Sequence, residues 1–187
     1  MDVRPIKGGF LRPFGCGWFI RQFLLGNGPE GSTKIDLNRG STQSDINYEY
    51  KEALAQATAR ERAERIISRM VLSGDEVTED DADRIFQREL RRISRKFTHM
   101  RYHSFLVYFG ILKRLNWVEA TGESGPSSIQ ENYAPAPNRI YYRLTQEGIQ
   151  AAEKLWSNPL FTLYPEVGPS HLKRAIFNLK EKTVGVD

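Results

Sequence analysis

The sequence predicts an α+β protein that is mainly helical and carries one small β-hairpin. Several segments have apolar residues at helical spacing, and two short alternating segments flank a loop rich in glycine and proline. No apolar run approaches the roughly 20 residues that a membrane helix needs, and the single cysteine has no partner for an internal disulfide. We therefore expect a cytoplasmic protein without a membrane segment.

The first quarter of the chain predicts little regular structure. Residues 1–15 are rich in glycine, proline and aromatic residues, which indicates an irregular N-terminal arm that is ordered only if Phe10 and Phe14 pack. A helix is expected over 16–25, where Phe19, Ile20, Phe23 and Leu24 share a face. The Gly-Asn-Gly-Pro run that follows ends it. A short element around 34–37 and a polar connector over 38–47 come next.

Two long helices are predicted in the middle of the chain. The first covers 48–72, with an apolar stripe formed by Leu54, Ala63, Ile66, Ile67, Met70 and Val71. Thr78 caps the second, which extends to about residue 97, and acidic residues occupy its positive first turn. The buried face of this second helix is expected to hold Ala82, Ile85, Phe86, Leu90, Ile93 and Phe97, while its other face presents arginines.

The remaining segments predict a helix, a hairpin and further helices. Ser104 is the expected N-cap of a helix over 104–115, and strands are expected over 117–121 and 139–144, joined by a loop over 122–138. A helix from Thr145 to Trp156 closes a domain that spans 16–156. Residues 157–187 form a C-terminal extension, with a last helix over 170–182.

Two stretches resemble the winged helix-turn-helix superfamily. SFLVYFGILKRLNWVE, at residues 104–119, is similar to the recognition helix and first wing strand of MarR-, ArsR- and PadR-type regulators, and RIYYRLTQEG, at 139–148, is similar to the strand and helix that close the wing. Residues 25–37 resemble the first helix and turn more loosely. The chain departs from these families by about 50 largely helical residues, over 47–97, before the recognition helix. The resemblance implies a winged helix-turn-helix with a helical insertion.

The helix over 104–115 divides into two faces. Phe105, Tyr108, Phe109, Leu112 and Leu115 cluster on the side expected to pack on the domain. The opposite side holds the predicted contacts to DNA bases, which are His103, Val107, Gly110 and Arg114. A solvated or protein-binding face is the alternative interpretation.

Positive charge is concentrated between residues 84 and 114. This stretch has nine lysine or arginine residues and one acidic residue, whereas the whole chain has a net charge of +4. Such a local excess is typical of a phosphate-binding surface, although a solvated helix that balances the acidic residues 75–83 is the plainer alternative. The predicted phosphate contacts, with one residue from the wing, are Arg84, Arg88, Arg91, Arg92, Arg95, Lys96, Arg101, Lys113 and Arg139.

The predicted function is therefore double-stranded DNA binding, in a transcription regulator or a related architectural protein. The helix over 48–72 would supply a homodimer interface or an intramolecular brace. A rival hypothesis is a winged-helix subunit that binds protein in a transcription, replication or segregation assembly. Its docking surface would be the exposed aromatics Tyr102, Tyr108, Trp117, Trp156, Phe161 and Tyr164, with the irregular apolar segment 158–165. Core packing is the alternative role for these side chains. RNA binding is a third hypothesis, which competition by A-form duplex would favour.

Signals for other chemistry are weak. His99 and His103 lie four residues apart, but a structural zinc ion usually needs four ligands and no third ligand is evident near them. Cys16 has no obvious base nearby, so a packed residue is the simpler interpretation. No pair of carboxylates has a setting that suits acid–base catalysis. We expect neither an enzyme, nor a metal site, nor a cofactor.

Overall fold

The computed structural model describes residues 4–5, 11–93, 102–126 and 138–167, with side chains described from residue 13 and, after the second gap, from Ser104. Within these ranges the α+β class is confirmed, since the chain is mostly helical with a small antiparallel sheet. In chain order the elements are β1 Arg4–Pro5, β2 Leu11–Arg12, α1 Cys16–Leu24, β3 Ser41–Thr42, α2 Gln43–Leu72, α3 Glu79–Arg92, α4 Tyr102–Arg114, β4 Val118–Gly125, β5 Arg139–Leu144, α5 Gln146–Gln150, α6 Glu153–Trp156, α7 Pro159–Leu163 and a 3-10 turn Pro165–Val167.

The N-terminal arm is more regular than its composition predicts. Strands β1 and β2 pair antiparallel, with Arg4 opposite Arg12. Phe14 is buried, and its ring lies 5.2 Å from that of Trp18 and 6.2 Å from that of Tyr50, measured between centroids. The end of the arm therefore joins the aromatic core built on α1 and α2, while Phe10 lies outside the described side chains.

A three-stranded antiparallel sheet has the strand order β3–β5–β4. Ser41 pairs with Tyr142, and Val118 pairs with Leu144. The predicted hairpin is confirmed, although β4 runs to Gly125, past the predicted end at 121. Strand β3 was not predicted, because it lies in two polar residues of the expected connector 38–47. The expected element at 34–37 is wrong, since that segment is irregular and leads into a turn.

Helix α2 begins at Gln43 rather than at residue 48. Thr42 caps it by accepting a hydrogen bond from the Asp45 backbone N–H at 3.2 Å, and the Thr42 hydroxyl donates to the Asp45 carboxylate at 2.7 Å. The polar residues Asp45 and Asn47 in this first part of the helix are buried. Their polarity suggested a linker, whereas the cap and the burial make them helical.

Helix α3 begins where the sequence predicts and folds back on α2. Thr78 and Asp81 form a reciprocal capping box at its start. It ends at Arg92 because Ile93 has an extended backbone, with φ −66° and ψ 110°, so the predicted extension to residue 97 is wrong for Ile93 and otherwise lies outside the described residues. The Arg60 guanidinium lies 6.0 Å from the Phe86 ring centroid. A short connection and this contact make α2 and α3 an antiparallel hairpin.

Helix α4 packs on the sheet through the predicted face. Phe105, Phe109 and Leu112 are fully buried, and the edge of the Phe109 ring meets Tyr142 of β5 at 5.1 Å between centroids. The helix begins at Tyr102, so Ser104 lies inside it and is not the N-cap that we predicted.

The region after the hairpin differs from the predicted single helix over 145–156. The backbone is extended at Ala151 and Ala152, which separates α5 from α6. The Trp156 indole N–H donates to the Gly148 carbonyl at 3.1 Å, and its ring centroid lies 4.7 Å from that of Trp117, with the ring planes tilted by 32°. We infer that this buried indole fixes the turn that the backbone makes here. Pro159 starts α7, so the expectation that 158–165 is irregular is also wrong, and the predicted helix at 170–182 lies outside the described residues.

We predict that Gly40→Ala destabilises the fold strongly. Gly40 has φ +75°, and an added Cβ would lie 1.9 Å from the Tyr142 carbonyl oxygen, so backbone must move. We expect a loss of at least about 3 kcal/mol in the free energy of unfolding, measured by urea denaturation.

Gly74→Ala is the matched control for this substitution. Gly74 has a similar φ of +88°, but an added Cβ would meet open space. Its loss should stay near 1 kcal/mol, which is the cost of the left-handed conformation alone. Equal losses for the two variants would show that contact between Gly40 and the sheet is not tight.

Candidate nucleic-acid interface

The outer face of α4 is open, as the sequence predicts. Val107 is 57% exposed, and Arg114 is exposed two turns further along the same side. Between them an added Cβ at Gly110 would meet nothing within 4 Å, so the backbone is approachable there. Three of the four predicted base-contact residues thus share one accessible face, and the side chain of His103 lies outside the described residues.

Helix α7 packs beside α4, and Tyr164, the residue after α7, contacts Arg114 at the end of this face. The Arg114 Nη1 donates a hydrogen bond to the Tyr164 hydroxyl oxygen at 3.0 Å, and the guanidinium carbon lies 5.8 Å from the Tyr164 ring centroid. The Tyr108 hydroxyl donates to the Trp156 carbonyl at 3.3 Å. The segment from Trp156 to Tyr164 is therefore attached to α4 at both of its ends, which the sequence did not predict.

The arginine face of α3 is exposed, but most of it is paired. Arg88 and Arg92 both donate to one carboxylate oxygen of Glu89, at 3.3 and 3.1 Å. The Glu89 side chain is only 7% exposed, although we predicted its helix to bury apolar residues alone. Arg91 is exposed and makes no ion pair within the described residues. The carboxylate thus compensates part of the positive charge in this half of α3.

Arg84 lies at the acidic end of the same helix. It pairs with Asp81 at 2.9 Å. Hydrogen bonds from the Thr78 hydroxyl and the Thr78 backbone N–H, with a smaller effect of Arg84, hold the pKa of Asp81 below its ordinary value. Arg84 therefore contributes less free positive charge than its position in the sequence predicted. The other predicted phosphate contacts Arg95, Lys96 and Arg101 lie outside the described residues.

A second basic group lies where α4 meets the hairpin. The Lys113 ammonium lies 5.6 Å from the ring centroid of Tyr142, on β5. Tyr142 also lines a surface depression together with Arg139 and with Gln43 and Ser44, the first residues of α2. Arg139 is half-buried there, so it is more enclosed than a wing residue was expected to be. Lys113 thus lies over the Tyr142 ring, and Arg139 lines the same depression as Tyr142.

Two further arginines of this region are committed to other contacts. Arg143 is exposed and donates to Glu119 across the hairpin at 2.9 Å, which neutralises its charge. Arg39 pairs with Glu123 at 3.3 Å, and its guanidinium stacks 4.1 Å above the Tyr141 ring. These contacts brace the hairpin against the loop before β3.

The aromatic residues proposed as a protein-docking surface are mostly core residues. Trp117 and Trp156 are buried, so they have the alternative core-packing role and lack the exposure that protein docking requires. Tyr108 and Phe161 are half-buried and pack against the core. Of this set Tyr164 is exposed, while the side chain of Tyr102 lies outside the described residues.

The described part of the chain gives little support for a metal site, a reactive cysteine or a membrane helix. No group of three or more His, Cys, Asp or Glu side chains that could hold a metal ion occurs among the described residues. Cys16 is buried. No described helix combines the length and the apolar character that are needed to span a bilayer.

Comparisons with protein-family models, with curated proteins and with solved structures found no match to this chain. The function must therefore be inferred from the site itself.

We predict that Thr78→Ala raises the pKa of Asp81 toward the ordinary aspartate value, because the substitution removes the hydroxyl whose hydrogen bond most favours the charged form, while the backbone N–H remains. A carboxylate whose folded pKa is lowered adds stability above its unfolded pKa, and this stability is lost as pH falls through the folded pKa. The stability difference between wild type and variant should therefore shrink on acidification. NMR titration of Asp81 and urea denaturation at several pH values test this, and an unchanged Asp81 pKa would contradict it.

Proposed function

We propose that this protein is a winged-helix protein that binds double-stranded DNA, as a transcription regulator or an architectural protein, with α4 in the major groove. The observation that carries the proposal is the open face of Val107, Gly110 and Arg114 on a helix that leads directly into a hairpin. Strand β3 lies between α1 and α2 and pairs with the second hairpin strand. This order resembles a winged helix in which α3 is inserted before the recognition helix.

The chemistry of the α4 face suits base recognition. A major groove about 12 Å wide admits a helix, and a residue without a side chain permits close approach. Val107 offers apolar contact to a thymine methyl group. Arg114 offers paired N–H donors to the O6 and N7 acceptors of guanine. An apolar residue, a glycine and an arginine on one face therefore suit sequence-dependent binding.

Phosphate contacts would come from two surfaces. Lys113 and Arg139 lie at the junction of α4 and the hairpin, and the Arg88, Arg91 and Arg92 cluster lies on α3. Eight residues connect Ile93 to Tyr102, so the end of α3 and the start of α4 are at most about 30 Å apart. That span is less than one turn of duplex, about 34–36 Å, so the end of α3 and the start of α4 can contact one DNA segment.

Protein docking through aromatic side chains has less support, because Trp117 and Trp156 are committed to the core. We propose a cytoplasmic DNA-binding protein rather than an enzyme. If two copies form a homodimer through α2, the interface would lie at its last turn, where Val71 and Leu72 are exposed. Leu54 is part of the core, so it is not available for such an interface.

We predict that the protein binds random duplex DNA with an affinity that falls steeply with salt. Each phosphate contact contributes about 0.9 to the slope of log affinity against log salt, so several contacts give a slope of several units. Arg91→Ala should lower this slope by about 1 and weaken binding to all sequences alike. Fluorescence anisotropy at several salt concentrations measures both quantities.

Two further variants sharpen this test. Arg69→Ala removes an exposed arginine from the other end of the helical hairpin and should leave the slope unchanged. Glu89→Gln removes the carboxylate that holds Arg88 and Arg92, so it should tighten binding at low salt by a few fold, with the fold checked by thermal unfolding. Absence of binding at low salt would contradict the proposal, and equal effects of Arg69→Ala and Arg91→Ala would remove α3 from the interface.

A further inference from the structure

The contact between Arg114 and Tyr164 leaves most of the guanidinium available. An arginine has five N–H donors in a planar fork, and one of the Arg114 donors is used by the Tyr164 hydroxyl oxygen at 3.0 Å. The ring contributes a weaker contact at 5.8 Å, near the limit for a cation–π interaction. Arg114 stays exposed in this arrangement. Tyr164 therefore holds the side chain from one side without covering it.

Tyr164 is itself held in place. Its backbone N–H donates to the Leu160 carbonyl at 2.9 Å, at the end of α7. Helix α7 is anchored by buried Pro159 and by Phe161, which packs against the core. The backbone that carries the Tyr164 hydroxyl is therefore already held against α4, so little further ordering is needed for the hydroxyl to contact Arg114.

We infer that Tyr164 is a positioning residue that orients Arg114 for recognition of a base, an inference that rests on the proposed function. A free arginine loses much rotamer freedom when it binds a base edge, and its paired donors must lie in the plane of the base. A side chain already held by a neutral hydroxyl loses less freedom on binding. Tyr164, which the sequence analysis placed in a protein-docking surface, would then contribute to DNA recognition.

A masking role would have the opposite sign. If Tyr164 kept Arg114 away from DNA, removal of its hydroxyl would strengthen binding. Arg114 is exposed, and among the described residues Tyr164 is its one hydrogen-bond partner. Both observations favour positioning, because a masked guanidinium would be covered or have its donors occupied by several partners.

The test compares Tyr164→Phe with wild type on two DNA substrates. One is a duplex selected by the wild-type protein from a random library, and the other is a random duplex. Tyr164→Phe should weaken binding to the selected duplex by about three- to tenfold and reduce the preference at one base pair, with random-duplex affinity and salt slope unchanged. In an Arg114→Ala background the same change should have no further effect.

Tyr48→Phe is the matched control, since Tyr48 is an exposed tyrosine on α2, away from α4 in sequence. It should leave both affinities unchanged. The positioning role would be overturned if Tyr164→Phe bound either duplex more tightly, or lost the same affinity for both. It would also be overturned if Tyr164→Phe weakened binding as much in the Arg114→Ala background as in the wild type. No binding of any duplex by the wild-type protein would overturn the proposed function and this inference together, whereas sequence-specific binding insensitive to Tyr164→Phe would overturn this inference alone.

Discussion

The architecture depends on a three-residue junction, Gly40–Thr42, at which sheet and helix meet. Gly40 lies against the backbone of Tyr142 with a left-handed conformation, and the next two residues pair with β5. Thr42 then caps the 30-residue helix α2. The same short segment thus closes the sheet and starts the helix on which α3 and α4 pack. The position of the hairpin relative to α4 follows from this junction, because β5 contacts both β3 and the inner face of α4.

The second general feature is the compensation of charge on α3. A cluster of arginines with no counter-ion would repel itself and lower stability. Here Asp81 holds Arg84, and the buried Glu89 holds two arginines close to each other. The positive surface is therefore built with internal carboxylates, which keep the arginines ordered while leaving a net positive charge toward residue 92. Binding of an anion would have to compete with these ion pairs, so the carboxylates should lower the affinity of this surface for phosphate.

Elements with a strong local signal could be predicted from the sequence. The inner face of α4, the start of α3 at Thr78 and the span of β5 are all found where apolar spacing and capping residues indicated them. Strand β3 and the first turn of α2 were missed because two paired residues have no periodicity and Asp45 and Asn47 suggested a loop. The Thr42 and Asp45 spacing was the signal that could have revealed the cap.

The candidate site was predictable only as a helix face. Helical spacing brought Val107, Gly110 and Arg114 together, whereas the contact of Arg114 with Tyr164 joins residues 50 positions apart and leaves no local pattern. The burial of Glu89 and the break between α5 and α6 likewise depend on tertiary contacts. Trp156 illustrates the point, because its indole is held by Gly148 in the core, while its residue type alone suggested a surface anchor.

The most direct test of the account is tethered hydroxyl-radical cleavage of duplex DNA. The one native cysteine, Cys16, is buried, so an iron chelate can be attached selectively to Val107→Cys, with Leu72→Cys as a control at a position that is 86% exposed at the end of α2. If α4 enters the major groove, the chelate at position 107 should cleave the duplex strongly at low salt, and the chelate at position 72 should cleave it little. Equal cleavage from the two positions, or stronger cleavage from position 72, would contradict the assignment of α4 as the DNA-reading helix.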